Sequence, residues 1–499
     1  MADLPAVFLQ KQWALRKKYE SIEAELQAWK TLSSSPPLDK HYSQVQRLAN
    51  ALQGMVEVVK GEVDRLEQPA DQVIFFKQAQ RAEFLILEVH RTWNFFREKL
   101  VFRQSPPFNE VLEALDEFVW ACYSPVIEVA KAPRTTPPGP PFIEAEAVRE
   151  PPLTFFNSDW SPAASARLAP LPLEETADSG EAPNPQARKL SATRLVTLLI
   201  PVIALPWFNV TFLPESLLLA HETAHLLDFD LNLSDNISRN LRAAGPAIAP
   251  ERLEQYWLPW SAEIFADLFA VVCLGPAFAG ALQTLLTRSP NEVLHALDGQ
   301  NHYPPHHLRV LITLKGLESC GFGNEAAILR QNWNRAYGEP VEGEPGVYAI
   351  NDYLLSECEQ DIEAVVSALL DAPFEALDNQ SFKALKSLCW NASDQQTATK
   401  VSASLLKKGL PLPTSNPRQL LAGAQLAFQQ QPEELLNEGA ANRKTQLDLL
   451  KQILQTREPG RRGTRKGHGT SPADLLKLAQ SDQRKGSTLG AELLQQYSI

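Results

Sequence analysis

The sequence predicts a mainly α-helical protein of several domains, with one small β-sheet near the middle of the chain. Its 499 residues exceed what one hydrophobic core normally organises. Apolar residues recur at the three- and four-residue steps of buried helix faces in the N-terminal and C-terminal parts. Between those parts, a proline-rich stretch is followed by β-branched and aromatic residues bounded by prolines, a pattern typical of short buried strands.

Residues 1–131 are predicted to form a helical bundle. In the first helix the apolar residues follow a seven-residue repeat with two neighbours beside it: Phe8, Leu15, Tyr19, Ile22, Leu26 and Trp29. In the second helix they follow three- and four-residue steps: Val45, Leu48, Leu52, Met55, Val59, Val63 and Leu66. Two more helices are predicted at about 71–102 and 108–130. We expect each of them to bury one face against its neighbours.

Residues 132–189 are predicted to be a linker or extended segment, because proline, glycine and small polar residues crowd together there. One island in it, Leu153–Trp160, has the composition of a strand that belongs to the next domain. Residues 190–338 are predicted to form that domain, with a small sheet, and residues 339–499 a helical C-terminal module. The basic, glycine-rich stretch 457–472 inside this module is expected to be a solvated loop.

Composition restricts the partners and the compartment. The net charge of −12, from 59 acidic against 47 basic residues, gives no whole-molecule field that attracts nucleic acid. The five cysteines are odd in number and scattered without a CxxC pair, which suits a reducing compartment. The N-terminal residues lack the pattern of a secretory signal. We therefore expect a cytoplasmic protein that does not bind nucleic acid.

One apolar run, Leu195–Leu213, approaches the length that spans a bilayer. Pro201 and Pro206 would each remove a helix hydrogen bond, and the Asn209 amide would lie in hydrocarbon. A membrane span is therefore not expected, and the run is predicted to supply buried strands instead. Within it, Val202–Phe212 is predicted to be an edge strand that aligns an extended peptide by backbone pairing.

The unusual chemistry lies in the apolar run PESLLLAHETAHLLDFD. His221 and His225 are four residues apart, so on a helix both imidazoles can point at a single ion. Glu222, beside the first histidine, is placed to take a proton from water near that ion. Burying two imidazoles and a carboxylate without partners is costly, and a metal ion would remove that cost. The sequence therefore predicts a zinc site with Glu222 as general base.

A zinc site of this kind needs a third protein ligand. Glu263 and Asp267 are again four residues apart, in the apolar run WLPWSAEIFADLFAVVCLGPAF. Glu263 is predicted to be the third ligand, and Asp267 the acceptor that orients a ligand histidine. Asp228 is the alternative third ligand.

The pair HETAH and EIFAD resembles the H-E-x-x-H plus E-x-x-x-D signature of the gluzincin metallopeptidases. The resemblance implies a zincin-like domain in which His221, His225 and Glu263 hold zinc. It also implies that Glu222 is the general base and Asp267 the residue that orients a ligand. The resemblance covers about Leu195 to Leu314, a quarter of the chain, and it indicates a clan of proteins without identifying a subfamily.

A further segment, NHYPPHHLRVLITL, is similar to the histidine-proline segment with a downstream arginine in the prenyl-protein and heat-shock membrane endopeptidases. In that branch the segment helps to stabilise the reacting carbonyl. Here a tyrosine separates the first histidine from the proline, so the identity of the donor stays open. Each candidate can donate a hydrogen bond to an oxyanion: His302, Tyr303, His306, His307 and Arg309.

The expected function is that of a zinc-dependent endopeptidase acting on a protein or peptide substrate. One alternative is a catalytically inactive zincin-like scaffold that binds protein partners through its helical flanks. A third hypothesis is a helical scaffold without metal. Metal content separates the third hypothesis from the other two, and Glu222→Gln separates the first from the second.

Overall fold

The predicted mainly α-helical fold is confirmed. The computed structural model describes residues 5–67, 72–106, 108–130, 152–165, 200–294, 303–337, 352–407, 410–436, 440–455, 480–481, 483–491 and 495. Within them helices predominate, and the strands form one three-stranded sheet.

Three long helices form an N-terminal layer with a core of its own. They are α1 (Ala6–Leu32), α2 (Tyr42–Asp64) and α3 (Gln72–Phe102). The apolar stripes predicted for the first two helices are confirmed, because every member is buried. Phe8 of α1 stacks on Phe75 of α3 with ring centroids 4.2 Å apart.

The fourth predicted helix is present as α4 (Phe108–Ala130). Its buried residues join the core of the middle and C-terminal parts, and they do not join the core of α1–α3. Tyr123 of α4, for example, donates a hydrogen bond from its hydroxyl to the buried carboxylate of Asp230. The N-terminal layer therefore has three helices, and α4 serves as a wall of the central core.

The sheet contains β1 (Leu153–Asn157), β2 (Ala163–Ser165) and β3 (Val202–Pro206) in the order β1-β3-β2. Strand β1 runs parallel to β3, and β2 runs antiparallel to it. The strand predicted within 153–160 is confirmed. The prediction of an edge strand over 202–212 is wrong, because β3 is paired on both sides and ends at Pro206, where a 3-10 turn begins. The two edges of the described sheet are β1 and β2, and both lie inside the segment predicted to be a linker.

The sheet separates the two cores. Val202 of β3 packs with the N-terminal layer, whereas its neighbour Ile203 packs with the central core, as does Leu205. This alternation follows from the two-residue period of a strand. Leu153 of β1 likewise faces the N-terminal layer, and Phe156 faces the central core. Both faces of the short strands are therefore covered, which explains their continuous apolar composition.

From Leu219 to Gln455 the described chain is largely helical, and most of its helices share one continuous core with the middle of the protein. The helices are α5 (Leu219–Leu231), α6 (Ser234–Ala243), α7 (Leu258–Leu274), α8 (Pro276–Leu286), α9 (Pro290–Leu294), α10 (His306–Ser319), α11 (Gly323–Tyr337), α12 (Asp352–Leu370), α13 (Ala392–Leu406), α14 (Pro417–Gln430), α15 (Pro432–Leu436) and α16 (Ala440–Gln455). The domain boundaries stay a prediction.

One described helical stretch, Pro250–Leu274, is long and apolar enough to cross a membrane by length and composition alone. It leads through a π-helical turn into α7, and 72% of its most apolar window is buried inside the protein. The core helix of a soluble protein passes the same test. The run considered in the sequence, 195–213, is described from residue 200 onward, where it forms β3 and 3-10 turns.

The C-terminal segment 483–491 packs against α2 at unusually short range. A Cβ atom on Gly54 would lie 1.9 Å from the carbonyl oxygen of Gln483, and one on Gly486 would lie 1.7 Å from that of Ala51. The Ser487 hydroxyl donates a hydrogen bond of 2.9 Å to the Gly54 carbonyl. Only glycine allows the two backbones to approach this closely.

We predict that Gly486→Val releases the segment 483–491 from α2, because the new side chain would overlap the Ala51 backbone. Hydrogen exchange of the segment should accelerate by at least about tenfold, since overpacking of this kind costs on the order of 1–3 kcal/mol. Gly61→Ala is the control, because nothing lies within 4 Å of the new Cβ. That control should stabilise α2 by up to about 1 kcal/mol. Unchanged exchange in the Gly486 variant would contradict the close contact.

Candidate metal centre

The centre is built on α5, which follows directly from a 3-10 turn after the sheet. The helix buries apolar side chains on both sides of the motif and packs against α7. His221 is 8% exposed and Glu222 is 9% exposed. Both polar side chains are therefore buried, as are the leucines around them. His225, one turn later, is half-buried.

The structure brings the three predicted metal ligands together. The Nε2 atoms of His221 and His225 are 3.1 Å apart. The Glu263 carboxylate, supplied by α7, approaches them with Oε2 at 3.3 Å from His221 Nε2 and Oε1 at 3.3 Å from His225 Nε2. Ligand atoms bound tetrahedrally at zinc distances of about 2.0 Å are separated by roughly 3.3 Å. Each carboxylate oxygen approaches a different imidazole, and one ligand atom from each of the three residues lies within 4.8 Å of the others, a spacing from which the three side chains could hold one metal ion.

The hydrogen bonds around the triangle also fit a cation. His221 Nδ1 is 2.8 Å from Asp267 Oδ1, so a neutral imidazole that donates there presents the lone pair of Nε2 to the triangle. Glu263 Oε2 is buried and, within the described residues, accepts no aligned hydrogen bond. Two imidazole nitrogens and a carboxylate face one point, and a divalent cation at that point would bind all three.

Asp267 is the buried acceptor behind His221, as the sequence predicted. It is 1% exposed and also accepts hydrogen bonds from Arg309 of α10, with Nε 2.8 Å from Oδ2 and Nη2 2.8 Å from Oδ1. Burial raises the pKa of the Asp267 carboxyl, but Arg309 and His221 outweigh it and hold that pKa below its usual value. Arg309 thus acts on the centre through Asp267, and its Nη2 also lies 3.7 Å from Oε2 of Glu263. It lines the cleft as well, and we describe it as a positioning residue.

The pKa of His221 shows how strongly the centre attracts positive charge. Burial lowers this pKa, but the carboxylates of Asp267, Glu263 and Glu222 together raise it to about 10. In the absence of metal, the carboxylates therefore hold a proton on the imidazole. A metal ion would displace that proton, because only the deprotonated nitrogen binds metal.

Glu222 lies beside the triangle and against the sheet. Burial raises the pKa of its carboxyl, partly offset by His221 and His225. A hydrogen bond from the Ala164 backbone N–H of β2 also acts to lower that pKa. The carboxylate is therefore held between α5 and the edge strand, close to the position where a proton would have to be moved.

The triangle opens into a cleft of about 330 Å³. One wall is the segment Ser161–Ala164 at the start of β2, and another consists of Leu282 and Leu285 of α8. Tyr303, 52% exposed, lines its mouth. The walls at β2 and α8 were missed from the sequence. No local signal marks them, because a three-residue strand of small residues inside a proline-rich segment has no recognisable period.

The remaining candidates lie elsewhere. His307 Nδ1 accepts a 3.0 Å hydrogen bond from Trp333 Nε1, and neither His306 nor His307 lines the cleft. His302 lies outside the described residues. The Asp228 carboxylate accepts the Ser234 hydroxyl at 2.7 and 2.8 Å and is not part of the ligand cluster.

We predict that Asp267→Asn lowers zinc affinity by about 10- to 100-fold, because His221 loses the carboxylate that orients it. The variant should also lose about 3–5 kcal/mol of unfolding free energy, since Arg309 keeps a buried charge without its partner. A chelator competition assay and chemical denaturation measure the two effects.

Asp361→Asn is the matched control. Asp361 is 2% exposed and accepts two hydrogen bonds from Arg252, at 2.7 and 2.9 Å, but it lies outside the ligand cluster. This variant should lose stability while keeping its zinc affinity. Equal zinc affinities for the two variants would contradict the role given to Asp267.

Comparison of the chain with known proteins returns no match to a family model, to a curated protein or to a solved structure. The chemistry of the centre is therefore inferred from its own atoms.

Proposed function

We propose that the chain is a zinc-dependent endopeptidase with a zincin-like catalytic domain. The observation that carries the proposal is the triangle of His221, His225 and Glu263, whose ligand atoms lie within 4.8 Å of one another, open toward a cleft and flanked by the buried Glu222. A purely structural ion-pair cluster would not need a fourth, open position.

The residues of the chain divide the chemistry of peptide hydrolysis between them. Zinc held by the triangle would supply Lewis acidity toward water and toward a peptide carbonyl. Glu222 takes a proton from the attacking water and returns it to the leaving amine. Burial raises the pKa of the Glu222 carboxyl toward neutral pH. Such a pKa suits a group that must both accept and release a proton.

Tyr303 is the donor that we propose for the reacting carbonyl oxygen. It lines the cleft. The negative charge of Glu263, followed by burial, raises the pKa of its hydroxyl, so the hydroxyl keeps its proton at neutral pH and can donate it in a hydrogen bond.

The substrate is proposed to lie along β2. Among the residues that the structure describes, this strand is paired with β3 on one side only, and it forms the cleft wall next to Glu222. An extended peptide can add to such an edge through backbone hydrogen bonds other than that of the Ala164 N–H, which Glu222 accepts; they hold the chain without demanding a particular side chain. In this proposal β2, and not the segment 202–212, aligns the extended peptide by backbone pairing.

We predict about one zinc ion per chain in the untagged protein by elemental analysis, after zinc reconstitution and removal of excess metal. His221→Ala and Glu263→Ala should each abolish this content, because two ligands do not retain zinc. Asp228→Asn is the control. It should retain the metal, because the Asp228 carboxylate accepts a hydrogen bond from the Ser234 hydroxyl and is not part of the ligand cluster. A metal-free wild type would exclude the proposal and favour a helical scaffold.

We further predict that Glu222→Gln keeps its zinc but loses hydrolysis of denatured casein by at least about 10²-fold, because the amide cannot take a proton. Glu254→Gln is the control, since this exposed carboxylate pairs with Arg242 away from the cleft. Equal cleavage by Glu222→Gln and wild type would contradict the mechanism. Zinc without any cleavage by the wild type would favour the inactive scaffold.

A further inference from the structure

Beside the cleft lies a group of exposed aromatic rings, which we call the aromatic shelf: Trp160, Trp207 and Phe208. Trp160 is 69% exposed, and the other two are 37% exposed. The rings of Trp160 and Phe208 are 5.4 Å apart. Adjacent large aromatic side chains are seldom left in water without a binding role, and tryptophan is enriched among residues that dominate binding energy.

The shelf is held in place by the packing beneath it. Trp207 stacks on Phe156 of β1 with ring centroids 4.9 Å apart, and it makes edge contacts with Phe102 and Phe108. Trp207 and Phe208 directly follow β3, and Trp160 follows β1. The carboxyl ends of these two parallel strands therefore fix the positions of the rings, so little order has to be gained on binding.

The shelf residues do not line the cleft themselves, but the chain leads from one of them directly into the cleft wall. Trp160 directly precedes Ser161, the first residue of the cleft wall formed by β2. Ala164, whose N–H contacts Glu222, is four residues further on, which corresponds to at most about 13 Å of extended chain. A peptide paired with β2 at the catalytic centre would therefore reach the shelf three or four residues from the cleaved bond.

The direction of pairing places the contacting residue on one side of that bond. Antiparallel pairs are more stable per residue and more frequent than parallel pairs. A peptide antiparallel to β2 runs from Ser165 past Ala163 and on toward Trp160. The residue over the shelf then lies on the carboxyl side of the cleaved bond.

We propose, building on the peptidase function proposed above, that the aromatic shelf is a specificity subsite. It binds an aromatic or large apolar side chain of the substrate three or four residues to the carboxyl side of the cleaved bond. The substrate class is therefore unfolded or extended protein segments that carry such a residue there.

The test begins with the wild-type protein and denatured casein, whose cleavage sites are mapped by mass spectrometry. Fluorescence-quenched peptides are then built on one mapped site, with Phe or Gly at the third and fourth positions after the bond. Wild type should favour the Phe peptide in kcat/KM by on the order of tenfold, the value of one aromatic contact. Trp160→Ala and Phe208→Ala should lower kcat/KM for the Phe peptide to the value for the Gly peptide in the same variant, with zinc content unchanged.

Trp13→Ala is the matched control, because Trp13 of α1 is 64% exposed and far from the cleft in the N-terminal layer. It should keep the full preference. The inference is overturned if Trp160→Ala keeps the preference, or if Phe is favoured only on the amino side of the bond. If the wild type cleaves without any preference for Phe, the subsite inference is wrong and the peptidase proposal stands. If the zinc-loaded wild type cleaves no substrate, both the peptidase proposal and the subsite inference are wrong.

Discussion

The metal centre depends on one buried carboxylate. Asp267 is almost fully excluded from water, so its charge must be balanced within the protein. Arg309 donates hydrogen bonds to both carboxylate oxygens of Asp267, and His221 Nδ1 forms a hydrogen bond with one of them, Oδ1. This arrangement joins α5, α7 and α10 at a single point. The orientation of the first ligand histidine is therefore fixed by the packing of three helices, and none of the three can shift without leaving a charge unpaired.

Apolar packing is what brings these charges into contact. Gly316 lies seven residues after Arg309, on the same face of α10, and a Cβ there would lie 2.5 Å from Leu268 Cδ2 of α7. The missing side chain lets α10 approach α7 closely, at a level one residue beyond Asp267. The Arg309–Asp267 hydrogen bonds join the same two helices. The glycine and the arginine are thus two parts of the same helix contact, one steric and one electrostatic.

The sequence was informative where the signal is local. Helical stripes and the i, i+4 spacing of the two histidines depend on a period within one element, so the buried faces of α1 and α2 could be predicted. Strand order could not, because it depends on pairing between distant segments. For that reason the sequence predicts a linker where β2 lies and an edge strand where β3 lies. The role of Arg309 was equally hidden, since only the fold reveals that its guanidinium meets Asp267.

The helical flank also has a structural bearing on the cleft. Arg103, at the end of α3, is fully buried and donates hydrogen bonds of 2.6 Å to both Asp116 of α4 and the Thr154 carbonyl of β1. Strand β1 pairs with β3, and β3 in turn pairs with the three-residue β2. So short an edge strand has little stability of its own. The cleft wall beside Glu222 therefore takes its position from the N-terminal layer, through one buried arginine and two strand pairings.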